Sequence, residues 1–385
     1  MVIFVRICLL KTQQTQSDFI GISSPYIGEE EKLAVQSVLD SGIIAQGPIT
    51  AKLEEEFAQY CETKYSVALN SGTAAIHTAL ACADIGQGDS VITTPFTFMA
   101  TANPILMQGA KIKFVDIDEI TYNIDTNLIE QAYDDSVKAI LPVDLFGQPA
   151  DYTEIRKFAQ EHELKIIEDA AQSIGATYQG AKAGSLGDIG CFSLYATKNM
   201  MCAEGGMLTT NDEEVVRKAK SFRQHGMVAP YEYEGIGYNY RMTDILASIA
   251  RTQLTRIEGF NKLRNQNSQQ LAENLSDVAG IILPTIKQDR TSSFHQFTIR
   301  ITKDFCVDRE TFMEKLKENG IGSGIYYPKP LHYYDHINKL GFSKGDFPVA
   351  EKMAKEVVSL PVNPSVTQEQ IDYIANTIRE ISNGK

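Results

Sequence analysis

From Ser24 to about residue 220 the chain alternates short β-rich runs with stretches of helical periodicity, and this alternation restricts its fold more than any other feature. Parallel strands need long crossover connections, usually helices, so the alternation predicts a mostly parallel sheet covered by helices. The runs that qualify as strands are Tyr65–Leu69, Val91–Thr93, Lys111–Val115, Ala139–Val143, Leu164–Glu168, Cys191–Ser193 and Met207–Thr209. Between them, segments such as Ala74–Cys82 and Tyr152–Glu161 are long enough to make the crossovers. Ahead of the first strand, Glu29–Leu39 carries three acids in its first turn, where the helix dipole favours them, and Gly42 stops it.

The pattern changes near Met242. From there to Leu271 apolar residues including Leu246, Ile249 and Ile257 recur at helical spacing, which predicts one long helix linking two domains. The remainder reads as α+β. An alternating strand is expected at Phe294–Ile301, then a helix from Arg309 ended by Gly320. A closing helix follows, in which Thr367 and Gln370 form a capping box ahead of a stripe of Ile371, Ile374, Ile378 and Ile381. The expected organisation is an α/β protein. Residues 24–245 form a large domain with a mostly parallel seven-stranded sheet and flanking helices, and residues 246–385 supply the linking helix and a smaller α+β C-terminal domain. Residues 1–23 are read as a poorly ordered extension, because Met1–Leu10 is broken by Arg6, has no basic leader and is not followed by a small-residue cleavage site.

Composition removes several function classes. A chain of 385 residues buries roughly three quarters of its unfolded surface, so a large core needs no disulfide or metal staple. The net charge of −13 opposes a general affinity for nucleic acid or anionic membranes. No stretch approaches the roughly 18 apolar residues of a spanning helix. Cys8, Cys61, Cys82, Cys191, Cys202 and Cys306 include no C-x2-C pair, and the histidines form no H-E-x-x-H. No metal centre is expected, and the cysteines read as buried thiols of a cytoplasmic protein.

Three fragments could carry chemistry. In Leu69 to His77 (LNSGTAAIH) a strand ends, Ser71-Gly72-Thr73 turns, and an Ala-rich helix begins. Free amides at that helix start and a glycine without Cβ would admit a phosphate, although Ser71 or Thr73 could equally be a plain cap. In Lys165 to Ser173 (KIIEDAAQS) an acid ends a β-rich run at the carboxyl edge of the sheet, where ligands of open α/β sheets gather. Asp169 could pair with a pyridinium cation there or cap the next helix. In Phe192 to Leu208 a single lysine, Lys198, sits in an uncharged stretch, where desolvation would lower its proton affinity toward nucleophilic use; a structural or surface lysine is the other reading. Phosphate cradle, strand-end aspartate and lysine is an order that suits the phosphate, ring nitrogen and aldehyde of pyridoxal phosphate. Phe98 follows a strand end and could stack on the ring or sit in the core.

With these fragments in place, the chain resembles the fold-type I, pyridoxal-phosphate-dependent sugar aminotransferases of the DegT/StrS type, from roughly Ser24 to Ile381. The landmarks are Asn70–Ala75 (NSGTAA), Thr94–Asn103 (TPFTFMATAN), Glu168–Gln172 (EDAAQ), Thr197–Asn199 (TKN) with Glu204–Gly206 (EGG), Gly237–Asp244 (GYNYRMTD) and Tyr326–His332 (YYPKPLH). The resemblance implies a fold-type I aminotransferase-like fold, Lys198 as the Schiff-base lysine and Asp169 as partner of the pyridinium nitrogen. It further implies that Gln172 contacts the ring hydroxyl, that Gly72, Thr73 and Ser193 hold the phosphate, and that Phe98 stacks. Asn239 and Arg241 would act across the boundary of a homodimer, on the phosphate and on an acidic substrate group. Tyr326 and Tyr327 take the substrate side, with Tyr326 where the family often has histidine. The implied reaction moves an amino group from glutamate to a nucleotide-linked keto-sugar, with pyridoxamine phosphate as the intermediate cofactor form. Competing readings keep the cofactor but make the protein a sugar lyase, aldolase or deoxygenase, or a regulator without turnover. Some relatives that remove a sugar hydroxyl have histidine at the Schiff-base position, and Lys198 speaks against that branch.

Overall fold

A computed structural model describes residues 19–384. Among the described residues the main sheet consists of β1 (Tyr65–Leu69), β2 (Ser90–Thr93), β3 (Lys111–Phe114), β4 (Val137–Ile140), β5 (Lys165–Asp169), β6 (Ile189–Ser193) and β7 (Gly206–Thr210). Their order is β1-β7-β6-β5-β4-β2-β3. The pairings from β3 to β6 are parallel, and β7 runs antiparallel to both β6 and β1. The expected mostly parallel seven-stranded sheet is therefore the one found. Most boundaries shift by one or two residues, and the largest shift is in the fourth strand, which ends at Ile140 because Pro142 has no N–H for the ladder, while Val143 keeps only a bridge to Asp169.

The connections explain which helices lie deepest. Helix α3 (Gly72–Cys82) crosses from β1 to β2, and nearly every residue of its Ala-rich run is buried. Such an all-round apolar helix fits only where it is covered on several sides. Helix α1 (Glu29–Ser41) carries its three first-turn acids as expected and ends at Gly42, whose φ of 72° places it in the left-handed region. Helix α2 (Pro48–Tyr60) is capped from a distance: the buried Asp244 accepts hydrogen bonds from the amides of Gly47, Ile49 and Thr50 at 2.8 to 3.0 Å.

The single linking helix expected from Met242 to Leu271 is two helices, Asp244–Leu254 and Ile257–Leu275. The break falls where Gln253 donates to Glu31 Oε1 at 2.8 Å and Arg256 donates to the same oxygen at 2.9 Å. These ties to the start of α1 turn the chain while the apolar spacing continues through the break. Periodicity alone could not show it.

The C-terminal part is α+β, with an antiparallel sheet of β8 (Ile281–Ile282), β9 (Phe297–Ile301) and β10 (Val357–Leu360). The helices Arg309–Glu318 and Gln368–Ser382 share with it a core that includes Phe297, Ile299, Phe312, Leu316, Ile371, Ile374 and Ile378. The Thr367–Gln370 capping box is present. β9 begins three residues later than expected, because Phe294 has a φ of 42° and turns the chain. His295 and Gln296 consequently face a cavity rather than extending the strand. Of the stretch read as an extension, residues 1–18 lie outside the described residues. Ile20 is instead tied to the small sheet's side of the molecule, donating to Gly320 O at 2.7 Å and accepting from Gly322 N at 2.8 Å.

Candidate active site

The carboxyl ends of β1, β5 and β6 open onto a cavity of about 890 Å³. Its walls carry Gly72, Thr73, Phe98, Asp169, Gln172, Ser193, Lys198, Tyr326 and Tyr327, so nine of the sequence candidates meet there. The fold brings them from segments far apart along the chain.

At one end lies the start of α3. Ser71 Oγ accepts from Ala74 N at 3.1 Å, so the serine is a cap. That bond leaves the amides of Gly72 and Thr73 without partners inside the helix, as first-turn amides are. The capping and anion-binding readings are thus compatible. Gly72 is required by packing as well, since a Cβ there would stand 2.8 Å from Ser193 Cβ. Two free amides and two hydroxyl side chains make a phosphate-shaped end.

At the other end stands Asp169, the last residue of β5 and only 4% exposed. Side chains alternate along a strand, so Glu168 points the other way and accepts from the amides of Gly184 and Leu186 at 2.6 and 3.1 Å. Asp169 accepts from Thr101 Oγ1 at 2.7 Å and from Ala171 N at 3.2 Å. Burial nevertheless pushes its carboxyl above the usual range, against the pull of those donors and of Lys198. A carboxylate under that strain is relieved by a cation. Lys198 lies in the turn after β6, where burial draws its amine down to about 8 and the Asp169 charge opposes the shift.

The remaining walls are aromatic and amide. Phe98, the N-cap residue of helix α4 (Met99–Met107), is 59% exposed and presents a flat face to the cavity. Tyr327 lies near it with ring centroids 6.2 Å apart, and its hydroxyl takes a hydrogen bond from Gln172 Nε2 at 3.3 Å. Gln172 is fixed in turn by accepting from Phe146 N at 2.9 Å. Asn239 and Arg241 do not line this cavity. Their segment is held on the outside of the sheet edge, where Asn70 donates to the carbonyls of Asn239 and Tyr240 at 3.2 and 2.9 Å.

Some wall residues escaped the sequence reading. Thr101 sits inside the quoted Thr94–Asn103 motif, but nothing in its spacing shows that it reaches β5. Tyr195 lies three residues before Lys198 and Glu204 opens the Glu204–Gly206 landmark, but neither position by itself shows that the side chain reaches the cavity wall. His295 falls within the strand expected at Phe294–Ile301, which begins only at Phe297.

The donor set fits pyridoxal phosphate: anion-binding amides, an aromatic face, a buried carboxylate for a ring cation and an amine of lowered proton affinity. Together with the sheet order this defines a pyridoxal-phosphate enzyme built on the aminotransferase scaffold. The chain belongs to the DegT/DnrJ/EryC1/StrS aminotransferase family, whose model matches residues 25–379. It is 40% identical to the pleiotropic regulatory protein of Geobacillus stearothermophilus, over 94% of this chain and 97% of that one. It is 37% identical to the spore coat polysaccharide biosynthesis protein SpsC of Bacillus subtilis, over 96% and 99%. Among solved structures, DesV of S. venezuelae superposes with a TM-score of 0.89 at 33% identity, covering 92% of this chain and 94% of that one. The PLP form of Spr1654 from Streptococcus pneumoniae gives 0.89 at 30% identity, covering 95% and 99%. The protein is a pyridoxal-phosphate-dependent aminotransferase.

Proposed function

We propose that this aminotransferase passes an amino group from glutamate to a nucleotide-linked keto-sugar, in the biosynthesis of amino sugars for surface polysaccharide or glycan. The observation that carries the reading is the pairing of Lys198 and Asp169 in one cavity of about 890 Å³. That volume is near the top of the roughly 300–1,000 Å³ range of small-molecule sites and leaves room for a substrate beside the cofactor. SpsC, by its name a polysaccharide biosynthesis protein, supports the sugar side.

When bound, pyridoxal phosphate supplies an electron sink for charge developing on the carbon that gains or loses nitrogen. The chain's own residues do the rest. Lys198 would hold the cofactor through its amine and would carry the proton between the substrate carbon and C4′. Asp169 keeps a proton on the ring nitrogen. Gln172 would orient the ring hydroxyl, Gly72, Thr73 and Ser193 would hold the phosphate, and Phe98 would cover one face. Tyr326 and Tyr327 meet the substrate with phenol donors.

The regulatory reading gains weight from the name of the Geobacillus relative. A lysine amine brought down to about 8 beside a buried aspartate favours turnover instead. A panel of keto-sugar nucleotides offered with glutamate, read by product mass and 2-oxoglutarate release, tests the proposal. At least one aminated sugar nucleotide is expected; failure of every member, with no 2-oxoglutarate formed, would sink it.

The working form in this reading is a homodimer in the cytoplasm. Leu33, Leu39, Ile43 and Ile44 are each about half exposed or more, an apolar group that suits burial against a second copy. Among the described residues the cysteines are free thiols and no helix is long and apolar enough to cross a membrane. Asn239 and Arg241, outside this chain's own cavity, would reach the other subunit's. Lys198→Ala and Asn239→Ala chains, each inactive and refolded together, should therefore regain activity in isolated heterodimers, which hold one site free of both lesions. Verified heterodimers without activity would refute the shared site.

A further inference from the structure

Asn239 and Arg241, the two side chains left outside this chain's own cavity, stand on an extended segment that runs antiparallel to residues 222–225. Tyr238 N donates to Phe222 O at 2.7 Å, Tyr240 N to Arg223 O at 2.9 Å, and His225 N to Tyr238 O at 3.0 Å. Side chains alternate along such a segment. Tyr238 and Tyr240 share its inner face, partly buried, with ring centroids 5.1 Å apart and planes 11° from parallel, while Asn239 is exposed on the outer face. The side chains of Asn239 and Arg241 make no hydrogen bond or ion pair among the described residues. Just ahead of them Val228, Tyr231, Tyr233 and Ile236 are 49 to 87% exposed, an apolar surface that suits burial against a second copy.

The inner face of the segment rests on α3. His77 projects from that helix, 1% exposed, with Nδ1 3.0 Å from Tyr240 Oη. Its ring meets those of Phe222 and Tyr238 edge-on, at centroid distances of 5.2 and 5.1 Å. Burial draws the imidazole down to about 4, so near neutral pH the contact with Tyr240 joins two uncharged groups. The other ring nitrogen, Nε2, is buried without a partner. An unpaired buried nitrogen costs stability, and leucine would fill the same place in this Ala-rich helix without that cost. The bond to Tyr240 is what the imidazole adds. Asn70, the residue before the Ser71 cap, grips the same segment through the carbonyls of Asn239 and Tyr240. One stretch of chain therefore builds this subunit's phosphate end and holds the outgoing segment.

We propose that His77 is a positioning residue for Asn239: by holding Tyr240 Oη it fixes the inner face of the segment, and so sets where Asn239 meets the phosphate in the other subunit. Asn239 lies between the two stacked phenols in the chain, so a displaced Tyr240 ring turns the peptide that carries it. The inference rests on the shared site proposed above and adds the residue that aims the segment.

Heterodimers separate the contributions of the two chains. One chain carries Lys198→Ala, so its own site cannot turn yellow, and supplies Asn239; the other keeps Lys198 and carries Asn239→Ala. Pyridoxal phosphate is titrated into the isolated, cofactor-free heterodimer, and the yellow absorbance reports the one complete site. His77→Leu on the chain that supplies Asn239 should raise the half-saturating cofactor concentration about tenfold, the scale of one lost buried hydrogen bond. The same substitution on the chain that keeps Lys198 should have a several-fold smaller effect. Pyridoxal without its phosphate should bind the two arrangements alike. Tyr240→Phe on the Asn239 chain keeps the aromatic ring and leaves α3 untouched, and it should reproduce the tenfold shift. Equal effects from either chain, a larger effect from the Lys198 chain, or an unchanged affinity in Tyr240→Phe would overturn the proposal. The second of these would make His77 a support of its own subunit's phosphate end. A reference heterodimer that binds the cofactor no better than the Asn239→Ala homodimer would instead refute the shared site, and this inference with it.

Discussion

Lys198→Ala loaded with pyridoxal phosphate is expected to convert the cofactor between its aldehyde and amine forms at least about 10³-fold more slowly than the parent, because in the proposed role one substitution removes both the covalent anchor and the proton carrier. The parent should be yellow, should bleach on mixing with glutamate, and should regain colour with a keto-sugar nucleotide. In the variant, borohydride should leave no pyridoxyl group on the chain, and bleaching followed by stopped flow should be slow. The amine of Lys198 suits both tasks because burial has already brought it down to about 8, where neutral and protonated forms are both populated near neutral pH. A small added alkylamine entering the vacated space should restore part of the proton transfer but not the covalent link. Parent-rate turnover in the variant would assign the proton transfer elsewhere, and Tyr327 or Tyr326 would be the groups to examine.

The second large effect is at Asp169. Asp169→Asn should slow the half-reaction with glutamate by about 10²- to 10³-fold, the scale expected when one charged group that stabilises developing charge is removed. The same change should make the cofactor-free protein more heat-stable at pH 7. The folded pKa of this carboxyl lies above its unfolded value of about 3.9, so ionisation costs stability; that cost is absent below about pH 4 and reaches its full size once the pH passes the folded pKa. Asparagine also keeps the local bonds, since its oxygen can accept from Ala171 N while Thr101 turns its hydroxyl toward Thr97, 2.9 Å away. Melting temperatures of the cofactor-free pair should therefore diverge from pH 4 to pH 7 in favour of the variant. A variant equally destabilised at both pH values would show that the aspartate is not electrostatically strained. Saturating cofactor should reverse the order, because a protonated ring nitrogen stabilises the aspartate and not the amide.

These two residues show what was readable in the chain and what was not. Strand ends, helix starts and caps are local matters, so Asp169 at a strand's carboxyl edge and Ser71-Gly72-Thr73 at a helix start were legible one by one. Their chemical meaning was not, since a cap and an anion site use the same residues. The linking helix failed for a related reason. Apolar spacing continues across Arg256, and only the ties of Gln253 and Arg256 to Glu31, more than two hundred residues away, mark the break.

The class of fold and the family were legible in the chain alone, because periodicity, turn chemistry and ordered motifs are properties of neighbours along it. Tertiary structure alone decided that Thr101 supports Asp169, that Glu168 faces away from it, and that His295 stands in the cavity wall. Desolvation and hydrogen-bond orientation depend on what surrounds a group in space, and it is the packing of distant segments that brings Lys198 down to about 8 and pushes Asp169 up.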